Sequence, residues 1–522
     1  MKNIFGYLIL FFASIIANGC SKWLEATSSS QISADKLFSS RNGFHEALSG
    51  VYIDMASPDL YAKNITYYAT ELTWGGYVPS STSAISDWQG RRYNTVNAKS
   101  TIKSIWTKFY NVIANANKIL EELEARRNII RDDTEYRIMR GELLAIRAYM
   151  HFDLIRLFGE YDWEGNANKY TIPYVEVYSK NETPQKNYVN TVALIEKDIL
   201  EAIELLKIDP ITGNAPKNFN ENVNIDGYWN NRTKHLNYYA AEALSAKFYL
   251  WKNDFAKAKE YAENVIDAAI GKSVIKWLDA EAMVKAVSND RRDWTFSTEH
   301  LFSLEITGLY SICSELLYEL NAYSGTVRLL DTFVNTLYPI ETYEFFKDSF
   351  HEDVRGPAML LKYSTSGYLN YKFYGSSGQV KEYRNRMPMI RISEMYFILA
   401  EAAFIKGDFE ETIRCINEIR SHRGITNSIT LKYTVSDSEG IHTKTLDATD
   451  IWEIFMSEYL REFITEGPCF YFIKRVHNKS YMENINKFNR KIIHSDFMNF
   501  ANNYSKFPYP AEEFTYGRIQ DN

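Results

Sequence analysis

The chain has 522 residues, 45% hydrophobic and 24% charged, a globular composition with ample material for a buried core. Its formal net charge is −7, so the phosphate-seeking electrostatics of a nucleic-acid binder are missing. Aromatics are abundant, with 38 Tyr, 30 Phe and 10 Trp; most belong to a core, but Tyr on loops also supplies rigid contact area with a polar tip.

Residues 1–19 read as a secretory signal: Lys2 gives a positive start, Ile4 to Ala17 an apolar run, and Gly19-Cys20 a small-residue cleavage site. The run is too short to span a membrane comfortably. Cys20, directly behind it, resembles the acylated first residue of a bacterial lipobox, although Ala17 and Asn18 depart from the usual Leu and small residue. The other cysteines, Cys313, Cys415 and Cys469, are odd in number and widely separated, which excludes a disulfide framework and metal-ligand spacing. The apolar patterns around Cys415 and Cys469 predict buried free thiols. Met395 to Ile405 is the nearest approach to a second apolar segment, and Glu401 interrupts it. The mature chain is therefore expected to be tethered, not membrane-spanning.

In chain order, the stretch 56–100 reads as a long irregular insertion rich in flat side chains with polar neighbours. Trp74, Tyr77, Trp88 and Tyr93 lie in it, with Arg91 and Arg92 between. Helical period follows over Ile105–Leu123, Glu135–Phe158 and Val189–Leu206, and Gly159 is a plausible stop for the second of these. After an insertion over 208–230, which carries Trp229, residues 236–266 form a helix pair. Tyr239, Ala243, Ala246 and Leu250 share one face, Asn253-Asp254 breaks the run, and Ala258 and Ala262 face back, so two helices can pack closely. A third long insertion, 286–387, includes Tyr310 and Tyr323. The same small-residue, turn and small-residue layout then recurs over 392–420, where Ala400, Asp408, Phe409 and Thr412 stand for Ala246, Asp254, Phe255 and Ala258. This layout is that of tetratricopeptide-like helix hairpins able to stack. The fold expected is mostly α, a helix-pair scaffold over about 101–270 and 388–480 with long irregular insertions and minor β, in a single domain over 20–522.

Long loops inside a compact domain are commonly functional. A sugar ring has an apolar C–H face that lies on an aromatic ring while its hydroxyls meet amide and charged groups. On that ground Trp74, Tyr77, Trp88, Tyr93, Trp229, Tyr310 and Tyr323 are the candidate ligand contacts, against the alternative that each anchors its own loop. No G-x-G-x-x-G, P-loop, H-E-x-x-H or G-x-S-x-G motif is present, and His151 reads as a packed or capping residue; no catalytic set, metal site or cofactor is expected.

Several segments together resemble the SusD/RagB family. They begin with Cys20 and Trp23-Leu24-Glu25, then Phe44 to Tyr52, and Trp106-x₃-Tyr110-x₂-Ile113 with Asn115 to Asn117. The most specific block is Gly141 to Tyr149 continuing through His151-Phe152-Asp153-Leu154 to Gly159, followed by Ile172-Pro173-Tyr174. Later come Lys197-Asp198-Ile199, Asp353-Val354-Arg355, Ile390 to Glu394, Ile416 to Arg420 and the closing Phe507-Pro508-Tyr509-Pro510 with Glu512 and Glu513. Within Glu458 to Cys469, Tyr459 and Cys469 stand where the family commonly has Arg, which predicts a rearranged structural ion-pair network. The resemblance implies a helical scaffold carrying a ligand face, and a non-enzymatic, surface-exposed lipoprotein anchored in the outer membrane. It further implies capture of oligosaccharides, or of peptides in the RagB branch, and their delivery to a SusC-like TonB-dependent transporter.

Overall fold

The computed structural model describes residues 34–476 and 506–519, apart from 161, 287, 289–290, 319–325, 339–348, 358, 365–366, 376–382, 438–439 and 518. Cys20 and Tyr323 lie outside the described residues.

The helical periods become α1 (Arg41–Met55), α2 (Val96–Ala125), α3 (Asp133–Phe158), α4 (Tyr188–Leu206), α5 (Tyr238–Trp251), α6 (Phe255–Gly271), α7 (Ile392–Lys406), α8 (Phe409–Ser421), α9 (Ala448–Phe463) and α10 (Pro468–Val476). Helix α3 packs against α2 and α4, α5 pairs with α6, α6 also meets α7, and α7 pairs with α8. The two hairpins with matching sequences use one turn device. Asn253 and Gly407 take left-handed backbone (φ 59° and 81°). Asp254 and Asp408 then cap the next helix by accepting the amides of Lys257 and Glu411, each at 3.1 Å. Ala243, Ala246, Ala258 and Ala262 are fully buried, as close packing of α5 on α6 requires. In the second hairpin Thr412 stands in place of an alanine and donates its hydroxyl to the Ala400 carbonyl at 3.2 Å.

The residues of the most specific block form one buried polar hub. Arg147 on α3 donates to Asp198 on α4 through Nε and Nη2 at 2.6 and 2.8 Å, and to Asn117 on α2 at 3.0 Å. The Tyr174 hydroxyl donates to the same Asp198. His151 lies flat on Tyr174 with ring centres 3.9 Å apart. Its Nδ1 is 2.8 Å from the Arg147 carbonyl, and its Nε2 accepts the Val175 amide at 3.0 Å. Burial lowers this imidazole to about 3, so it is neutral and structural, as a packed histidine should be.

A second buried set joins the distant motifs. Arg355, Arg391, Arg420, Arg423 and Arg461 pair with Glu299, Asp353, Glu458, Glu462 and Glu466, all of them buried. The positions that depart from the family pattern take no part in these pairs: Tyr459 stacks on Phe472 at 4.0 Å and Cys469 is a buried thiol. Cys313 and Cys415 are likewise buried and free.

Strand content is minor. Among the described residues the strands make two-stranded antiparallel sheets: β1 (Tyr170–Pro173) with β2 (Gln185–Asn187), β3 (His300–Glu305) with β6 (Arg386–Arg391), β4 (Leu361–Ser364) with β5 (Gly367–Asn370), and β7 (Lys432–Asp437) with β8 (Gly440–Thr445). The insertions are more ordered than loop-like composition suggests. Short helices Ala69–Trp74 and Ser83–Gln89 occupy the first, and α2 starts at Val96, well before Ile105, with the Thr95 hydroxyl capping it. Leu309–Leu317, Asp331–Leu337 and β3 to β6 occupy the third. No helix of the described residues is long and apolar enough to cross a membrane.

Candidate ligand-binding face

Tyrosines gather where the third insertion folds back on the first. Val78 donates to Arg328 O at 2.8 Å and Leu330 to Gly76 O at 2.9 Å. On its other side Leu329 exchanges two backbone hydrogen bonds with Tyr368 of β5, at 2.8 and 2.9 Å. The β4–β5 hairpin therefore rides on segment 328–330, which rides on segment 76–78. Gly367 sits at φ 137°, and a Cβ there would lie 2.3 Å from the Leu329 carbonyl oxygen, so only glycine lets the hairpin come this close.

Within the hairpin Tyr363 and Tyr368 are cross-strand partners, their ring centres 5.3 Å apart and 74° inclined. Tyr363 is 66% exposed. Just beyond β5 the chain adds Tyr371 and Tyr374, centres 4.6 Å apart, and both pack against Tyr318 at 5.3 Å. Tyr310 completes the group, stacked on Tyr318 at 5.8 Å and edge-on to Tyr374 at 5.5 Å. Tyr318 is buried and its hydroxyl accepts the Phe373 amide at 2.9 Å, which makes it the anchor, while Tyr310, Tyr371 and Tyr374 are half-buried. Asn385 and Arg386 border Tyr310 with an amide and a guanidinium. Burial raises the phenols of Tyr368 and Tyr371 above their ordinary value, so they remain protonated donors. Held ring faces, phenolic hydroxyls and a neighbouring amide and guanidinium suit a polyhydroxylated ligand with apolar C–H faces.

The tryptophans singled out by loop composition sit beneath surfaces and present no platform. Trp74 is fully buried, packed on Phe333 at 5.5 Å and Tyr77 at 6.0 Å, under the segments that carry the hairpin. Tyr77 is 7% exposed and donates its hydroxyl to Glu71 at 2.5 Å. Trp88 is fully buried against Tyr68, Tyr93 and Phe507. Trp229 is buried too; its Nε1 donates to Glu135 at 3.1 Å and its ring meets His45 and Arg232, tying its loop to α1 and α3. An indole is the largest apolar surface a loop has to bury, and here each loop spends it on anchoring. Of the remaining candidates Tyr310 belongs to the tyrosine group, and Tyr93 is half-buried in a cleft shared with the C-terminal segment. Tyr363, Tyr368, Tyr371 and Tyr374 were missed. Their signal is the density of tyrosine over 361–374, with Ser366-Gly367 as the turn chemistry of a hairpin.

Paired helices that carry aromatic clusters on long insertions make up the scaffold. Residues 22–215 match a SusD-like family model described as starch-binding, associating with outer membrane, and residues 333–520 match the model of the SusD family. The chain belongs to the SusD/RagB family. Solved structures share its fold. A SusD superfamily protein from Bacteroides thetaiotaomicron VPI-5482 is 21% identical, with TM-score 0.66 over 92% of this chain and 99% of that one. A SusD superfamily protein from Bacteroides vulgatus ATCC 8482 is 19% identical, with TM-score 0.64 over 92% and 98%. Another from the same organism, described as a SusD-like carbohydrate binding protein, is 15% identical, with TM-score 0.60 over 84% of each chain. No curated protein matches the sequence.

Proposed function

We propose that this protein is a cell-surface glycan-binding lipoprotein that captures oligosaccharides and delivers them to a partner TonB-dependent outer-membrane transporter. It binds its ligand without converting it. The observation that carries the reading is the cross-strand pair of exposed Tyr363 and half-buried Tyr368 on the β4–β5 hairpin, with a separate cluster of half-buried Tyr310, Tyr371 and Tyr374 packed on Tyr318. Family membership supports it, as does the description of a structural relative as carbohydrate-binding. The signal-like residues 1–19 with Cys20 behind them support anchoring by acylation, and the family model's association with the outer membrane supports that location.

Calorimetry against a glycan panel tests the reading. Single sugars should bind poorly, because one stacked ring gains little beyond the cost of ordering it, and longer oligomers should bind better by covering neighbouring tyrosines. Replacing Tyr363, Tyr368 and Tyr371 together by Ala should abolish binding of neutral oligosaccharides while thermal melts show a folded chain. Binding of extended peptides in place of every glycan would transfer the protein to the peptide-capturing branch.

A further inference from the structure

The first turns of α2 and the C-terminal segment line an open cleft of about 1100 Å³, just above the usual range of ligand pockets. Its walls carry Arg91, Arg92, Lys99, Lys103 and Lys506 against Glu160 and Glu512. In a chain of net charge −7 this is a local excess of cations. Two rings stand in the same walls, and both are held. Tyr93 packs on Trp88 at 5.9 Å and Phe507 at 5.4 Å, and Tyr509 lies parallel to Phe158 at 6.1 Å, between Pro508 and Pro510.

We infer that this cleft binds an anionic oligosaccharide, one bearing carboxylate or sulfate groups. The inference rests on the glycan-capture reading and adds to it a second site, apart from the tyrosine hairpin, with its own substrate class. The existing ion pairs leave room for such a ligand. Lys506 meets Glu160 at 2.8 Å with side chains 40% and 46% exposed, Lys103 pairs with Glu512, and Arg92 reaches Asp87 at 3.0 Å with half its side chain exposed. The two lysine pairs are exposed on both sides and contribute little, so a ligand anion can displace their carboxylates, whereas Asp87 is buried and Arg92 would keep it while offering its exposed edge. Arginine offers a planar fork that matches a carboxylate or sulfate in two parallel hydrogen bonds. The tyrosine rings would take the sugar faces between those anions. A neutral glycan would use only the rings and leave the cations unused, which is why the charge selects the ligand.

The test is calorimetry on the mature chain with three hexasaccharides, an oligogalacturonide, a chondroitin sulfate fragment and maltohexaose. One or both anionic probes should bind, the two arms telling carboxylate from sulfate recognition, with affinity falling steeply as salt shortens the Debye length from about 10 Å at 0.1 M to about 3 Å at 1 M. Lys99→Glu with Lys103→Glu, both exposed, should weaken anionic binding at least tenfold, about 1.4 kcal/mol, without lowering the melting temperature. The tyrosine-hairpin variants should leave it intact. Neutral glycan binding with no anionic binding would overturn this inference and leave the capture reading standing. Anionic binding unmoved by the lysine changes would place the site elsewhere and overturn it as well. Binding of neither class of glycan would overturn the capture reading itself.

Discussion

Arg423 donates through Nη1 and Nη2 to the two carboxylate oxygens of Glu299, each at 2.7 Å, across 124 residues of sequence. Glu299 precedes β3, and Arg423 follows α8. The pair thus ties the third insertion, which carries the tyrosine hairpin, to the second helix hairpin. Both side chains are fully buried, and Arg423 also reaches Glu462 on α9 at 2.6 Å. Arg423→Met should leave Glu299 charged and unpartnered by this fork in the interior. A loss of about 3–5 kcal/mol is expected, read as a lowered urea midpoint. An unchanged midpoint would mean that Arg391, 3.4 Å from Glu299, suffices alone.

Stability should fall in acid. Burial pushes the Glu458 carboxyl up, but Arg461, Arg355 and Arg420 outweigh it and hold the group at about 2. Glu142 is held at about 2 against burial by Arg232 and His235. Both folded values lie below the ordinary 4.5, so their contribution is whole above pH 4.5 and is lost as pH falls through about 2. His151 adds to this, since its neutral form is required and its contribution fades from pH 6.5 down through about 3. Glu71 acts in the opposite sense: burial raises it to about 7, so its folded form favours the proton and its contribution is lost as pH rises through 7. Urea midpoints measured across pH should drop below pH 4.5. Glu71→Gln should be more stable than wild type above pH 7, by on the order of 3 kcal/mol at most.

Trp74 and Tyr363 should respond in opposite ways to truncation. Trp74→Ala opens a cavity between Phe333 and Tyr77 and should cost about 3–5 kcal/mol. Tyr363→Ala removes an exposed ring and should shift stability by no more than about 0.5 kcal/mol while weakening glycan binding. Paired thermal melts and titrations separate the two. A stable Trp74→Ala protein with lost binding would make Trp74 a ligand contact after all.

Anchoring is read by fractionation. Each buried CH₂ of an acyl chain contributes about 0.8 kcal/mol, and several chains together hold a protein firmly. Cys20→Ala should therefore move the protein from the outer-membrane fraction to the soluble one. Retention of that variant in a strain lacking the transporter would end the lipoprotein assignment.

The scaffold was legible in the sequence because its signals are local. The 3.6-residue period, the breaks at Asp254 and Asp408, and small residues at Ala246 and Ala400 depend only on neighbours within a few turns. The quoted motifs were legible as family marks, but not as the two buried networks they build. Pairing Arg147 with Asp198 needs two helices to meet, and pairing Arg355 with Glu458 needs a turn to meet a helix from a distant part of the chain. The binding face was legible only in part, at Tyr310. Composition places an aromatic residue in a loop, yet whether its ring faces solvent or core depends on what packs over it. Trp74, Trp88 and Trp229 and the Tyr363–Tyr368 pair share loop-like surroundings in the sequence. Tertiary structure alone buried the first three, because covering an indole stabilises an insertion, and left Tyr363 exposed with Tyr368 half-buried across from it on the hairpin.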